Sequence, residues 1–334
     1  MKPLLAIALL SGLLAGSADS GQTEAEKLIE TGHWKKARAI VETRIRQAPD
    51  DPLANFLLSQ IRNAFGDYAS PPGLAEKAVA LDSRVAKYHR QLAEVLGVQA
   101  QHAGPIKILL LARRFRSEID AALSLDPHDV QAQRDLLEYY LVAPGIAGGD
   151  IQKADSTAAR IGELDHAEGL LAKARIAAFR KQTGETETLL HQAVHSQPPS
   201  WRAHTELANF DLAPEHENPG EAENTARELL QMDPTRIEPY TILAHIYSDR
   251  GDWRALDAVL AEASEKNPDD LTPYYRAAAR LLANGRDPAR AERYLRVYLA
   301  SEPEGNAPPA ADARRKLAAA EQSAQQKGIE RHGE

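Results

Sequence analysis

No cysteine occurs in this sequence of 334 residues, which removes disulfides, thiolate nucleophiles and cysteine-ligated zinc together. Aromatic residues make up only 5% of the chain, a poor supply for the Val-, Thr- and aromatic-rich strands of a sheet sandwich. The apolar surface is mostly Ala and Leu, which suits helices that approach closely. No block of Lys and Arg interrupts a net charge of −8, so nucleic acid is excluded as the expected partner. Long apolar runs are missing too. The run from Leu4 to Leu14 falls well short of the roughly 20 residues that span a bilayer, and no stable membrane span is expected.

What surrounds that run is informative. Lys2 precedes it and small residues occupy 15–18, the layout of a cleaved secretory signal. Residues 1–18 are therefore expected to be removed, leaving a periplasmic or secreted protein.

Self-similarity organises the rest. Segments end in turn in "RQAPDDP", "VALDSR", "LSLDPHD", "GELDHAE", "HSQPPS", "LQMDPT", "EKNPDD" and "ASEPEG". From Pro49 through Asp82, Pro127, Asp165, Pro198, Pro234 and Pro268 to Pro303 the steps are 33, 45, 38, 33, 36, 34 and 35. Between these anchors apolar residues recur at three and four, the helical period. Each unit reads as two amphipathic helices that cannot bury their own faces and so must stack. Asp51-Pro52 and Asp287-Pro288 place an acceptor and a proline at helix starts. Thr235 with Glu238 and Asp165 with Glu168 have capping-box spacing, and Gly251-Asp252 combines a tight turn with a cap.

The unit "IEPYTILAHIYSDRGDWRALDAVLAEASEKNP" resembles a tetratricopeptide repeat. Tyr240, Leu243, Ala244, Tyr247, Gly251, Trp253, Leu260, Ala263 and Pro268 stand on the family's pattern, with Leu256 where Ala is preferred. Tyr274, Ala278, Leu282, Ala291, Leu295 and Pro303 match in the next unit. Gly32, Trp34, Ala37, Val41 and Pro49 match in the first. The expected fold is an all-α, right-handed α-solenoid of about eight stacked helix-turn-helix hairpins over residues 22–303, shaped as an elongated arc. A capping helix is expected within 304–325 and a frayed tail over 326–334.

Two units exceed the period. In "EYYLVAPGIAGGD" the extra residues form a Pro-Gly-Gly break. Without a Gly-Lys-Ser/Thr or a preceding strand it is not a phosphate loop. It reads as an elbow in which Tyr140 ends one helix, the glycines permit positive φ, and Asp150 caps the next. A similar Gly-rich turn occurs in Sel-one-like repeats and in some secreted bacterial tetratricopeptide proteins. The other long unit contains "IKILLLARRF", which reads as a long helix buried mid-array or as an apolar dock for a partner helix.

Catalytic signals are weak. His191 and His195 lie four apart on one helical face but lack the Glu of the zinc-protease motif and a third ligand, so they read as surface histidines. No Gly-x-Ser-x-Gly is present. No cofactor is expected.

The resemblance implies a concave groove lined by the first helix of each hairpin, where an extended or helical peptide lies. Its candidates are Phe56, Gln60, Arg134, Glu138, Arg202, Thr205, Asn209, Thr241, His245 and Tyr275. The family's clamp for C-terminal carboxylates pairs Lys with Asn on one helix; here Asn209 matches and Thr205 replaces the Lys. The function so implied is a non-enzymatic adaptor of the bacterial cell envelope that binds a peptide or helix of another protein. An accessory factor for an envelope enzyme or a polysaccharide export complex is the alternative, followed by an enzyme whose site is built across repeats.

Overall fold

The computed structural model describes residues 22–101 and 103–332, with side chains to residue 322. The expected signal, residues 1–18, and the last two residues of the tail lie outside them. Among the described residues there are seventeen α-helices, one 3-10 turn and no strand. Sixteen helices pair as eight hairpins. These are α1 (Glu24–Glu30) with α2 (Trp34–Gln47), α3 (Pro52–Ala64) with α4 (Pro71–Leu81), and α5 (Ala86–Gln101) with α6 (Pro105–Leu125). Next come α7 (Val130–Val142) with α8 (Ile151–Leu164), α9 (His166–Phe179) with α10 (Thr183–Val194), and α11 (Trp201–Asp211) with α12 (Pro219–Met232). The series ends with α13 (Glu238–Arg250) and α14 (Trp253–Lys266), then α15 (Thr272–Ala283) and α16 (Pro288–Leu299). A closing helix, α17 (Ala310–His332), packs on α15 and α16.

Local chemistry sets the helix ends. Asp51, Asp165, Asp252 and Asp287 each accept a first-turn backbone N–H through their side chains, as capping chemistry requires. Thr235 does not cap. Its N–H and hydroxyl are both taken by Asp233 Oδ1, at 2.9 and 2.6 Å, and α13 starts after Ile237 with no side-chain cap. The same turn recurs where Asp82 accepts from Arg84 N and Asp126 from His128 N. The periodic Asp of the anchors is thus the corner between hairpins. Helix α17 continues past Gln325 to His332, because Ala, Gln, Lys and Glu all favour helix and Gly328 costs only about 1 kcal/mol.

The Pro-Gly-Gly break is an elbow. Helix α7 runs two residues beyond Tyr140 and stops before Pro144; Gly145–Ala147 make a 3-10 turn, η1. Gly148 has φ 101°, and a Cβ on Gly149 would lie 1.8 Å from the Ala143 carbonyl oxygen. Asp150 then caps α8 through Gln152 and Lys153 N–H.

Small residues let the hairpins stack. Ala37, Ala54, Ala75, Ala93, Ala132, Ala226 and Ala278 are fully buried, and the cores of successive hairpins follow one another along the array. At one point even Ala is too large. Helices α8 and α9 are joined by Asp165 alone, and a Cβ on Gly169 would meet the Gly162 backbone at 2.3 Å.

The arc is not open, contrary to expectation. Eight hairpins bring the first against the connection that follows the eighth. Glu304 is 3% exposed, and its Oε1 accepts the backbone N–H of Lys35 at 2.6 Å. It thereby caps α2, whose own N-cap, His33, makes no side-chain cap. Lys35 Nζ donates to the carbonyls of Asp269 and Glu302, and Arg38 grips Glu302 with two nitrogens. Asn306 N donates to the Ala64 carbonyl at 2.7 Å, and Trp34 packs on Gly305. Burial and nearby Asp270 push the Glu304 carboxyl up, opposed by the two backbone donors and the Lys35 charge.

Gly169→Ala is expected to destabilise the fold by about 1–3 kcal/mol through overpacking, whereas Gly184→Ala, with open space around its Cβ, gains about 0.5 kcal/mol from helix propensity; urea denaturation measures both. Glu304→Ala should cost about 1–2 kcal/mol as a lost cap and speed amide exchange at Lys35. Exchange there at the wild-type rate would show that the seam does not hold α2.

Candidate functional site

The first helices of three consecutive hairpins, α7, α9 and α11, converge on a cavity of about 400 Å³. Its floor is Leu137, Leu171 and Ala172; its rim is Arg134, Asp135 and Glu138 from α7, Arg175 from α9, and Arg202 and Glu206 from α11. Arg175 holds Glu138 with two bonds, 3.0 and 2.6 Å, the forked geometry that suits a carboxylate. Arg134 and Arg202 share the single carboxylate of Glu168. Burial and the Arg202 charge both disfavour the Arg134 cation, against Glu168 and Asp135. Burial likewise raises the Asp135 carboxyl, with Arg90 opposing. On the neighbouring α5, desolvation raises the Glu94 carboxyl too, with Arg90 opposing and Asp135 adding.

Expected groove residues Arg134, Glu138 and Arg202 thus come together. Arg175, Glu206, Leu171 and Ala172 join them without having been singled out. A signal was present in the spacing of Glu168, Leu171, Ala172 and Arg175 at three and four. The one-residue link at Asp165 hides the start of that first helix.

A second cavity, of about 280 Å³, contains Thr205, Asn209 and Thr241 together with Trp34, Asp270, Thr272 and the 305–307 backbone. It lies where the terminal seam crosses the concave face. The hydroxyls of Thr205 and Thr241 donate to carbonyls one turn back, at 3.0 and 3.1 Å.

The remaining candidates are placed differently. Phe56 is 3% exposed and packs on Tyr88 with ring centroids 5.2 Å apart, so it is a core residue: an aromatic side chain gains more from inter-hairpin burial than from the groove. Gln60 is half-buried on α3. Tyr275 gives its hydroxyl to Asp312 of α17 and packs against Tyr298, which ties it to the closing helix. His245 Nε2 lies 3.1 Å from Asp249, which also receives Arg280 Nε and Nη2 at 2.9 and 2.6 Å and Asn284 Nδ2 at 2.7 Å. Away from the groove, His195 Nδ1 lies 2.7 Å from the His191 carbonyl oxygen. Among the described residues no three His, Asp or Glu side chains converge as metal ligands would.

Burial alone would raise the Asp249 carboxyl, but bonds from His245 and Arg280 and their charges hold it far below the ordinary range. A folded-state pKa below the unfolded value of about 3.9 means that the unfolded chain binds the proton first. The stabilisation is complete above that value and disappears as pH falls through the folded-state pKa. Asp249→Asn is expected to be less stable than wild type at pH 7 and to have a flatter stability profile below about pH 4, as followed by circular dichroism. An unchanged acid limb would remove Asp249 from the groove's electrostatics.

No protein-family model matches the chain, and no curated protein is similar to it. Solved structures are. Yeast Tom70 superposes with a TM-score of 0.58 at 16% identity, over 98% of this chain and 68% of that one. A thermophilic TPR protein of Thermus thermophilus covers 56% of this chain and 95% of its own, with a TM-score of 0.49 and 17% identity. A tetratricopeptide repeat protein of Parabacteroides merdae covers 77% and 96%, with a TM-score of 0.44 and 12% identity. At such identities the likeness is one of fold: the chain is a right-handed α-solenoid of stacked tetratricopeptide-like hairpins.

Proposed function

We propose that this chain is a tetratricopeptide-repeat scaffold without catalytic activity, which holds a peptide or helix of another protein on its concave face. One observation carries the reading. Three successive first helices present Arg134, Arg175 and Arg202 with Glu138 and Glu206 above a floor of Leu137, Leu171 and Ala172. A peptide backbone and its charged side chains can exchange with ion pairs already formed there, while apolar side chains take the floor. Because each arginine already has a carboxylate neighbour, binding is an exchange of partners, which favours specificity over raw affinity. The second cavity, at the seam, offers Thr205, Asn209 and Thr241 to the end of the same ligand. The signal-like residues 1–18 support a periplasmic or secreted location, and with it an envelope protein as partner.

Affinity capture from an envelope fraction, with the wild type beside Arg134→Glu and Arg202→Glu, tests the site. Both variants are expected to lose the captured partner, with at least a tenfold weaker affinity for the peptide identified from it, as a reversal of charge at a buried contact costs about 2 kcal/mol or more. Circular dichroism confirms that the variants remain folded. Recovery of the same partners by both would overturn the concave-face reading. An uncleaved N-terminus found in the cytoplasm by mass spectrometry would overturn the location alone.

A further inference from the structure

The four most exposed large apolar side chains among the described residues are Ile106 at 81%, Ile146 at 80%, Leu110 at 61% and Val142 at 60%. They share one edge of the solenoid. Helix α6 has 21 residues against 16 in α5, so at about 1.5 Å per residue it is some 7 Å longer than its partner. Ile106 and Leu110 lie four apart on its first two turns. The stretch expected to be buried mid-array is therefore exposed at its start, and only from Leu111 onward does α6 enter the core. The η1 turn, which carries Ile146, packs against α6, and Val142 ends the helix leading into it. Phe115 stacks on Tyr139 at 5.7 Å, which sets the end of α7 beside the first half of α6.

The first half of α6 is basic in a molecule whose net charge is negative. From Gly104 to Ser117 the chain has Lys107, Arg113, Arg114 and Arg116 and no carboxylate, in a protein of net charge −8. Arg114 pairs with Glu76 at 2.7 Å and Arg116 with Asp120 at 2.9 Å. Lys107 and Arg113 have no ion-pair partner among the described residues. Protruding Ile and Leu flanked by unpaired cations are what an interfacial helix presents to anionic lipid: apolar tips enter the acyl boundary while the cations meet phosphates. No helix of the described residues is long and apolar enough to cross a membrane, in keeping with a surface contact.

We propose that this edge, formed by the start of α6 and the η1 turn, docks the protein on an anionic lipid bilayer. The exposed apolar tips of Ile106, Leu110, Val142 and Ile146 beside these cations mark this edge as the one that faces the lipid. The inference uses none of the concave-face residues and stands apart from the peptide-binding reading.

Because the chain has no cysteine, an environment-sensitive fluorophore can be placed at one introduced thiol of the full chain. Ile106→Cys and Ile146→Cys are the reporters, and Arg314→Cys, exposed on α17, is the control. With phosphatidylglycerol-containing vesicles both reporters are expected to shift to shorter wavelength and the control to stay unchanged. Added Lys107→Glu and Arg113→Glu should weaken vesicle affinity at the Ile106 reporter at least tenfold, as should high salt. Local reporters exclude contributions from residues 1–21, which are common to every variant. No shift at the reporters, an equal shift at Arg314, or an affinity indifferent to the charge reversals would overturn the proposal. A shift that appears without vesicles as protein concentration rises would overturn it in favour of a second copy on this face.

Discussion

Everything in this molecule depends on how closely one helical hairpin can approach the next. A pair of short helices leaves one apolar face bare, and only a neighbour's face can cover it. Side chains at the crossing points set the separation, and many of the fully buried ones are Ala. The contact of Gly162 with Gly169 across α8 and α9 is the limit, backbone against backbone, with a single Asp165 between the helices. Larger side chains such as Tyr240, Leu243, Leu256 and Leu260 fill the remaining volume and are fully or almost fully buried. Since each hairpin inherits its orientation from the one before, these small contacts set the curvature of the whole array.

Curvature repeated eight times has a consequence that no single repeat possesses: the two ends meet. The seam is polar, not oily. Glu304 supplies the cap that α2 lacks from a position 269 residues away, and Lys35 satisfies the carbonyls of Asp269 and Glu302. A helix N-terminus with unpaired N–H groups is a donor waiting for an anion, and the far end of the chain provides it. The closure divides the concave face. One cavity, beneath α7, α9 and α11, stays clear of the seam, while the other is roofed by residues 305–307 and Trp34.

Departures from the regular repeat lie on one side of the array. The elbow at Gly145–Ala147 and the elongated α6 are adjacent, and both carry their exposed apolar residues outward on the edge of the intra-hairpin turns. The arginines of the concave cavity are paired, whereas Lys107 and Arg113 on this edge have no ion-pair partner among the described residues. Two surfaces of different chemistry thus occupy different parts of the solenoid, one made of ion pairs over an apolar floor, the other of exposed apolar tips beside Lys107 and Arg113.

By itself the sequence determined the helical hairpins, their period and their corners, because the information is local: apolar residues every three or four positions, Asp at the caps, Gly and Pro where helices stop. It also placed Arg134, Glu138 and Arg202 on first helices, and all three line one cavity. Tertiary structure decided the rest. Phe56 could be assigned to core or groove only once the rotation of α3 was known, a matter of about 100° per residue. Tyr275 was claimed by a closing helix whose position depends on every repeat before it. Lys35, Arg38, Glu302 and Glu304 look in sequence like solvating charges, since no local pattern marks residues that meet only after a full turn of the superhelix. Small angles add up along a solenoid, and their sum is a property of the stack, not of any one repeat.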